Sequence, residues 1–273
     1  MTVPSEAASP AALLSAAQAS LLDAAGRLAA VLRELPTATT AVPRSSWTVR
    51  DTAAHLVSWA PVYAAIAAGA GSPLRSFDRA EVAAHNARLL ADVRAADPAG
   101  LADLVAAAGR TVIEATCLPA ERLVPFHGGT RQDVAGLAGF ALGEMLVHGY
   151  DIANAVGAPW KILPDDVALV LRAYAAVIPA VVDADATSRL TAIWEIDLGH
   201  AGRFAVRFDG GAFALADPAA VRADCVIEAC PQAFLLVITG RLDVWTAITL
   251  GNWRGSGPRP GLAPRYPRLF RTV

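Results

Sequence analysis

The chain has 273 residues, 55% hydrophobic and 18% charged, and its 23 basic and 25 acidic side chains leave a formal net charge of −2. That length holds one large domain or two small ones, each with a full core. The near balance of charge argues against nucleic acid or an anionic lipid surface as partner. Three cysteines (Cys117, Cys225, Cys230) are too few for a disulfide framework and have no C-x-x-C spacing. They point to a reduced, cytoplasmic setting and away from a thiolate zinc knuckle.

The mean hydropathy of +0.41 owes much to 61 alanines, and alanine is the best helix former and a weak hydrophobe. Residues 7–25 are apolar, but no basic residue precedes Arg27, and Ser15, Gln18 and Asp23 interrupt the run, which makes a poor signal peptide. Residues 52–74 carry no formal charge, yet His55, Pro61, Gly69, Gly71 and Pro73 spoil them as a bilayer span. They read as a buried helix and its exit loop.

In chain order, helical spacing covers residues 10–34 and stops at Pro36. Thr48 with Asp51 three residues on predicts a capping box opening a second helix, with Trp47 in the staple position. A third helix is predicted over Phe77–Ala96, closed by Asp97-Pro98, and a fourth over Leu101–Thr116. Thr130 and Asp133 predict a second capping box, opening a helix that runs to Gly157. Short loops predict that consecutive helices pack antiparallel as a bundle.

After Pro164 the pattern changes. A helix over Asp165–Val182 leads to strands over residues 190–198, 203–208, 212–215 and 224–229, with Asp209-Gly210-Gly211 as a turn. Helices follow over Pro231–Thr239 and Leu242–Leu250, and residues 251–267 read as a tail rich in Gly, Pro and Arg. The expected organisation is a helical bundle over residues 1–160 and a small α+β domain over residues 161–273.

The residues that point to chemistry lie on the capped helices. Glu144 and His148 are four apart, on the face that carries Val134, Leu137, Ala141, Ile152 and Ala155. A carboxylate and an imidazole on a core face must be paired, hydrogen bonded or metal bound. Asp151, three residues beyond His148, is placed to orient it. His55 sits in the uncharged run with Trp59 one turn later, and a bundle can bring it to Glu144 and His148. Two imidazoles and one carboxylate leave a coordination position open, as catalytic zinc sites do, although ligand type does not separate zinc from iron or nickel. A satisfied core histidine is the plain alternative for each.

The segments SWTVRDTAAHL (46–56) and GEMLVHGYDIANAVG (143–157) resemble the signature segments of the mycothiol-dependent maleylpyruvate isomerase family, which belongs to the DinB-like metal-binding four-helix bundles. The resemblance implies a divalent metal, usually zinc, on His55, Glu144 and His148, and a C-terminal domain like that of sterol carrier proteins, which residues 203–250 resemble. It implies mycothiol as the thiol cosubstrate, activated as a metal-bound thiolate that adds to a small electrophile in an isomerase or S-transferase reaction. The family's second-domain arginine, which holds an anionic substrate, corresponds to Arg241 or Arg254. An Asn recurs in the family near Asn86, so Asn86 and Asp151 are expected beside the cofactor.

Other residues are expected to matter less. His85 is as readily an exposed polar residue as a functional one, His127 reads as a solvated loop histidine and His200 as a turn residue. Cys225 and Cys230, flanking a buried strand, read as small core residues. Two other functions stay open: a metal-dependent hydrolase, and a non-enzymatic protein binding an apolar ligand. A monomer or homodimer without membrane or nucleic-acid partners is expected.

Overall fold

A computed structural model describes residues 8–93 and 97–271. The chain divides into two compact units, one spanning Ser9–Ile162 and the other running from Leu163 onward.

The first unit is helical. Helix α1 (Pro10–Arg33) starts on Ser9, whose side chain accepts from the Ala12 amide, with Pro10 at the first helical position. It buries Leu14, Leu21, Leu28 and Leu32 along one stripe. In α2 (Val49–Ala67) the capping box is formed in both directions between Thr48 and Asp51. Trp47 does not act as a staple: the fourth helical position is Thr52, whose hydroxyl bonds back to the Thr48 carbonyl, so no apolar partner exists there. Helix α3 (Arg79–Asp92) is shorter than its sequence pattern, and residues 94–96 of the expected helix lie outside the described residues. Asp97 caps α4 (Pro98–Ala115).

The chain then forms a short antiparallel ribbon, β1 (Leu123–Pro125) with β2 (Arg131–Asp133), before α5 (Val134–Val156). The expected capping box at Thr130 does not form. The ladder holds residues 131–133 extended, so the helix begins later and Asp133 caps it through Gly136 N (2.6 Å). Gly157, with φ of 70°, ends α5.

The bundle is α1, α2, α4 and α5, with α1 and α2 each packed on both α4 and α5. Consecutive order does not set it: α3 lies against α2 and buries only His85, because its faces carry too few apolar residues to enter a core. Gly109 lets α4 close on α1, since a Cβ there would lie 2.9 Å from Ala25 Cβ. Among the described residues no helix is long and apolar enough to cross a membrane.

The second unit begins with α6 (Pro164–Ala175), α7 (Ile178–Val181) and α8 (Ala184–Thr187). The single helix expected over 165–182 is broken because Pro179 has no N–H and its ring clashes with the carbonyl four residues back, at Ala175. Strands β3 (Thr191–Asp197), β4 (Arg203–Asp209), β5 (Ala212–Ala216), β6 (Cys225–Ala229) and β7 (Trp253–Ser256) form one sheet in the order β5-β4-β3-β6-β7, antiparallel except for β3 with β6. Helices α9 (Pro231–Ile238) and α10 (Val244–Thr249) connect the last two strands. The expected tail is instead strand β7 and a 3₁₀ segment, Pro260–Leu269. Gly255 permits this: a Cβ there would meet Pro260 O at 2.7 Å. Trp253 stacks on Phe234 in the core, 5.5 Å between ring centroids. Cys225 is buried, but Cys230 is exposed, because it caps α9 at the surface rather than pointing along the strand.

Candidate metal centre

Helix periodicity places Glu144 and His148 one turn apart on α5, and packing of α2 on α5 brings His55 to them. His55 Nε2 lies 3.3 Å and His148 Nε2 3.5 Å from the same carboxylate oxygen, Glu144 Oε2. One ligand atom from each of the three side chains lies within 4.8 Å of the others. A tetrahedral ion with bonds of about 2.0–2.1 Å has ligand–ligand edges of about 3.3 Å. The two imidazole–carboxylate separations are of that size, so the donor set fits a divalent cation.

Burial would push the Glu144 carboxyl up, but hydrogen bonds and charge from His148 and His55 outweigh it and hold the group well below the usual carboxylate range. Glu144 is therefore an anion at neutral pH. His148 Nδ1 lies 3.0 Å from Asp151 Oδ2, which fixes the ring so that Nε2 faces the centre. Trp47 packs against both imidazoles, its centroid 4.9 Å from that of His55 and 6.1 Å from that of His148. The residue expected to staple a helix end thus covers the centre.

Trp59, one turn after His55, organises the far side. Its indole nitrogen lies 3.2 Å from His55 Nδ1 and 3.3 Å from Asn86 Oδ1. Its ring packs against Tyr63, His85 and His127. The i, i+4 spacing of His55 and Trp59 was a visible sign of this contact; Asn86, on α3, was marked by the family resemblance and by no spacing.

Two histidines depart from expectation. His127 is 2% exposed rather than solvated, because the ribbon folds its loop over Phe126, Phe140 and Trp59. Its Nδ1 is 2.6 Å from Ser72 Oγ, and burial pushes its pKa down to about 4 against the pull of Glu144. His85 is buried against Trp59, its Nε2 without a hydrogen-bond partner among the described residues, and burial with Arg88 lowers its pKa. His200 is exposed in its turn.

Arg241 and Arg254 belong to the second unit. Arg241 donates to the Thr239 carbonyl at 2.7 Å. Arg254, on β7, is largely exposed and lies 3.9 Å from Glu228.

No curated protein matches this sequence. Among solved structures, a crystal structure of the mycothiol-dependent maleylpyruvate isomerase is similar at 14% identity, with a TM-score of 0.54, over 89% of this chain and 92% of that one. A mutant of the same enzyme is similar at 13% identity and a TM-score of 0.53, over the same shares of the two chains. At such identities the likeness is one of fold. The family model described as the mycothiol maleylpyruvate isomerase N-terminal domain matches residues 4–153, more than half of the chain, and the chain belongs to that family.

Proposed function

We propose that the protein is a divalent-metal-dependent enzyme that uses a low-molecular-weight thiol, mycothiol, for addition to a small electrophilic substrate, in an isomerase or S-transferase reaction in the cytoplasm. The observation that carries this reading is the convergence of His55, Glu144 and His148 on one point beside a carboxylate-oriented imidazole. Family membership supplies the thiol.

His55, Glu144 and His148 would hold the cation, taken as zinc from the family resemblance, with a donor set of two imidazoles and a carboxylate that suits it. When bound, the cation favours thiolate over thiol at neutral pH. The chain's own residues do the rest. Glu144 contributes a negative charge that its neighbours keep ionised. Asp151 fixes the ring of His148, and Trp47 packs against the two imidazoles. In the same reading Arg241 or Arg254 would hold an anionic group of the substrate.

The test is elemental analysis of the purified protein beside His148→Ala, with mycothiol-dependent turnover of maleylpyruvate followed in both. About one equivalent of metal, lost in the variant together with turnover, is expected. A wild-type protein that takes up no metal when zinc is offered overturns the reading. Turnover that needs no thiol would instead favour the hydrolase.

A further inference from the structure

The loop that carries Trp47 is closed by its own hydrogen bonds. The Val42 amide donates to the Trp47 carbonyl at 2.9 Å, the Trp47 amide donates to Ser45 Oγ at 3.1 Å, and Ala41 and Thr48 pair as an isolated bridge. The tip is the turn Val42-Pro43-Arg44-Ser45, in which the Ser45 amide donates to the Val42 carbonyl at 3.2 Å. Pro at the second position and a positive φ at the third are the pattern of a type II turn, whose third position favours Gly or Asn. Here it is Arg44, with φ of 61°, the only non-glycine residue with positive φ among the described residues. A Cβ is strained in that region, and glycine would make the same turn without strain. Strain kept at one residue beside a site points to its side chain.

Arg44 is exposed and has no ion partner among the described residues. The elements that build the centre are poor in cations. Helix α5 has no Lys or Arg, and α2 has only Arg50, which is spent on Asp51 (3.3 Å) and the Val93 carbonyl (2.6 Å). The centre itself carries the anionic Glu144 and repels a second anion. Trp47, half-buried, lies against both imidazoles. It is three residues from Arg44, at most about 11 Å along an extended chain, so a guanidinium on its long stem can reach a group bound beside Trp47. We propose that Arg44 is a substrate-binding residue that gives the helical unit its own anion subsite at the rim of the centre, and that the electrophile carries a carboxylate held there. The fork of N–H donors on a guanidinium matches a carboxylate. This deepens the thiol–electrophile reading above and rests on it.

The test compares wild type with Arg44→Gly and Arg44→Lys. Glycine accepts the turn, so Arg44→Gly should keep its zinc and unfold at an equal or higher urea concentration. KM for maleylpyruvate should rise about tenfold, the loss of one hydrogen bond between charged groups, and kcat should change by less than about twofold. Arg44→Lys keeps the charge without the fork and should fall between the two. Added salt should raise KM more in wild type than in Arg44→Gly. A second measurement needs neither metal nor turnover: quenching of Trp47 fluorescence by iodide and by acrylamide, read as the difference from the matching Trp47→Phe protein. Arg44→Gly should lower iodide quenching and leave acrylamide quenching unchanged. Equal KM in wild type and Arg44→Gly, or equal iodide quenching, overturns the subsite alone. A wild type without thiol-dependent turnover overturns the reading above and the substrate assignment with it, and iodide quenching then decides separately whether Arg44 draws anions to Trp47.

Discussion

Replacing His127 with asparagine should flatten the pH dependence of stability in the mildly acidic range. Asparagine is small enough for the site and keeps a polar atom for Ser72. In the folded protein burial lowers the His127 pKa from 6.5 to about 4. Above pH 6.5 the imidazole is neutral in both folded and unfolded chains and contributes no pH dependence. As pH falls from 6.5 towards 4, the unfolded chain takes up a proton that the folded one refuses, so stability falls. Below the folded pKa the penalty is constant. A depression from 6.5 to about 4, at 1.36 kcal/mol per unit, makes it about 3 kcal/mol. His85 is lowered as well and adds a slope of the same sign, so the His127 part is read as the difference between wild type and variant. The assay is urea unfolding at half-unit pH steps, with chelator present so that metal release does not enter the slope. His127→Asn should lose most of the decline between pH 6.5 and 4. Equal slopes in the two proteins, or a His127 ring that titrates near 6.5 in the folded state by NMR, would refute the reasoning.

Two further outcomes follow from contacts around the same helix. Asp151→Ala removes the carboxylate that fixes the ring of His148; zinc affinity by chelator competition should fall about 10- to 100-fold with the fold retained. Gly149→Ala places a Cβ into the Trp160 ring, which must leave its bond from Nε1 to the Leu146 carbonyl (2.9 Å). Thermal or urea unfolding should show a loss of about 2–3 kcal/mol, and no loss would mean that the ring moves freely.

Much of the centre could be read from local spacing. Four residues of helix bring Glu144 and His148 to one face in any packing, and three more bring Asp151 within reach of His148. The Thr48–Asp51 box is likewise a property of four consecutive residues. The alternation that marks β3 and β4 is local too. These features were legible because the forces that create them act within a turn or along a strand.

What the sequence left open depended on partners far along the chain. Strand β7 has a weak pattern of its own and exists because β6 offers its edge and Gly255 admits the 3₁₀ segment. Helix α2 supplies the third ligand only because it packs on α5, 89 residues away. Trp47 became a cover for the imidazoles, and His85 and His127 became buried, through long-range apolar packing that overrides the polar character of their neighbours in sequence. The sequence by itself determined which residues can act as ligands and on which helices they lie. The tertiary structure alone decided which nitrogen of His55 faces the centre, because a ring's orientation is set by the groups opposite it, and for His55 these include Glu144 on α5 and Trp59, which is itself shared with Asn86 on α3.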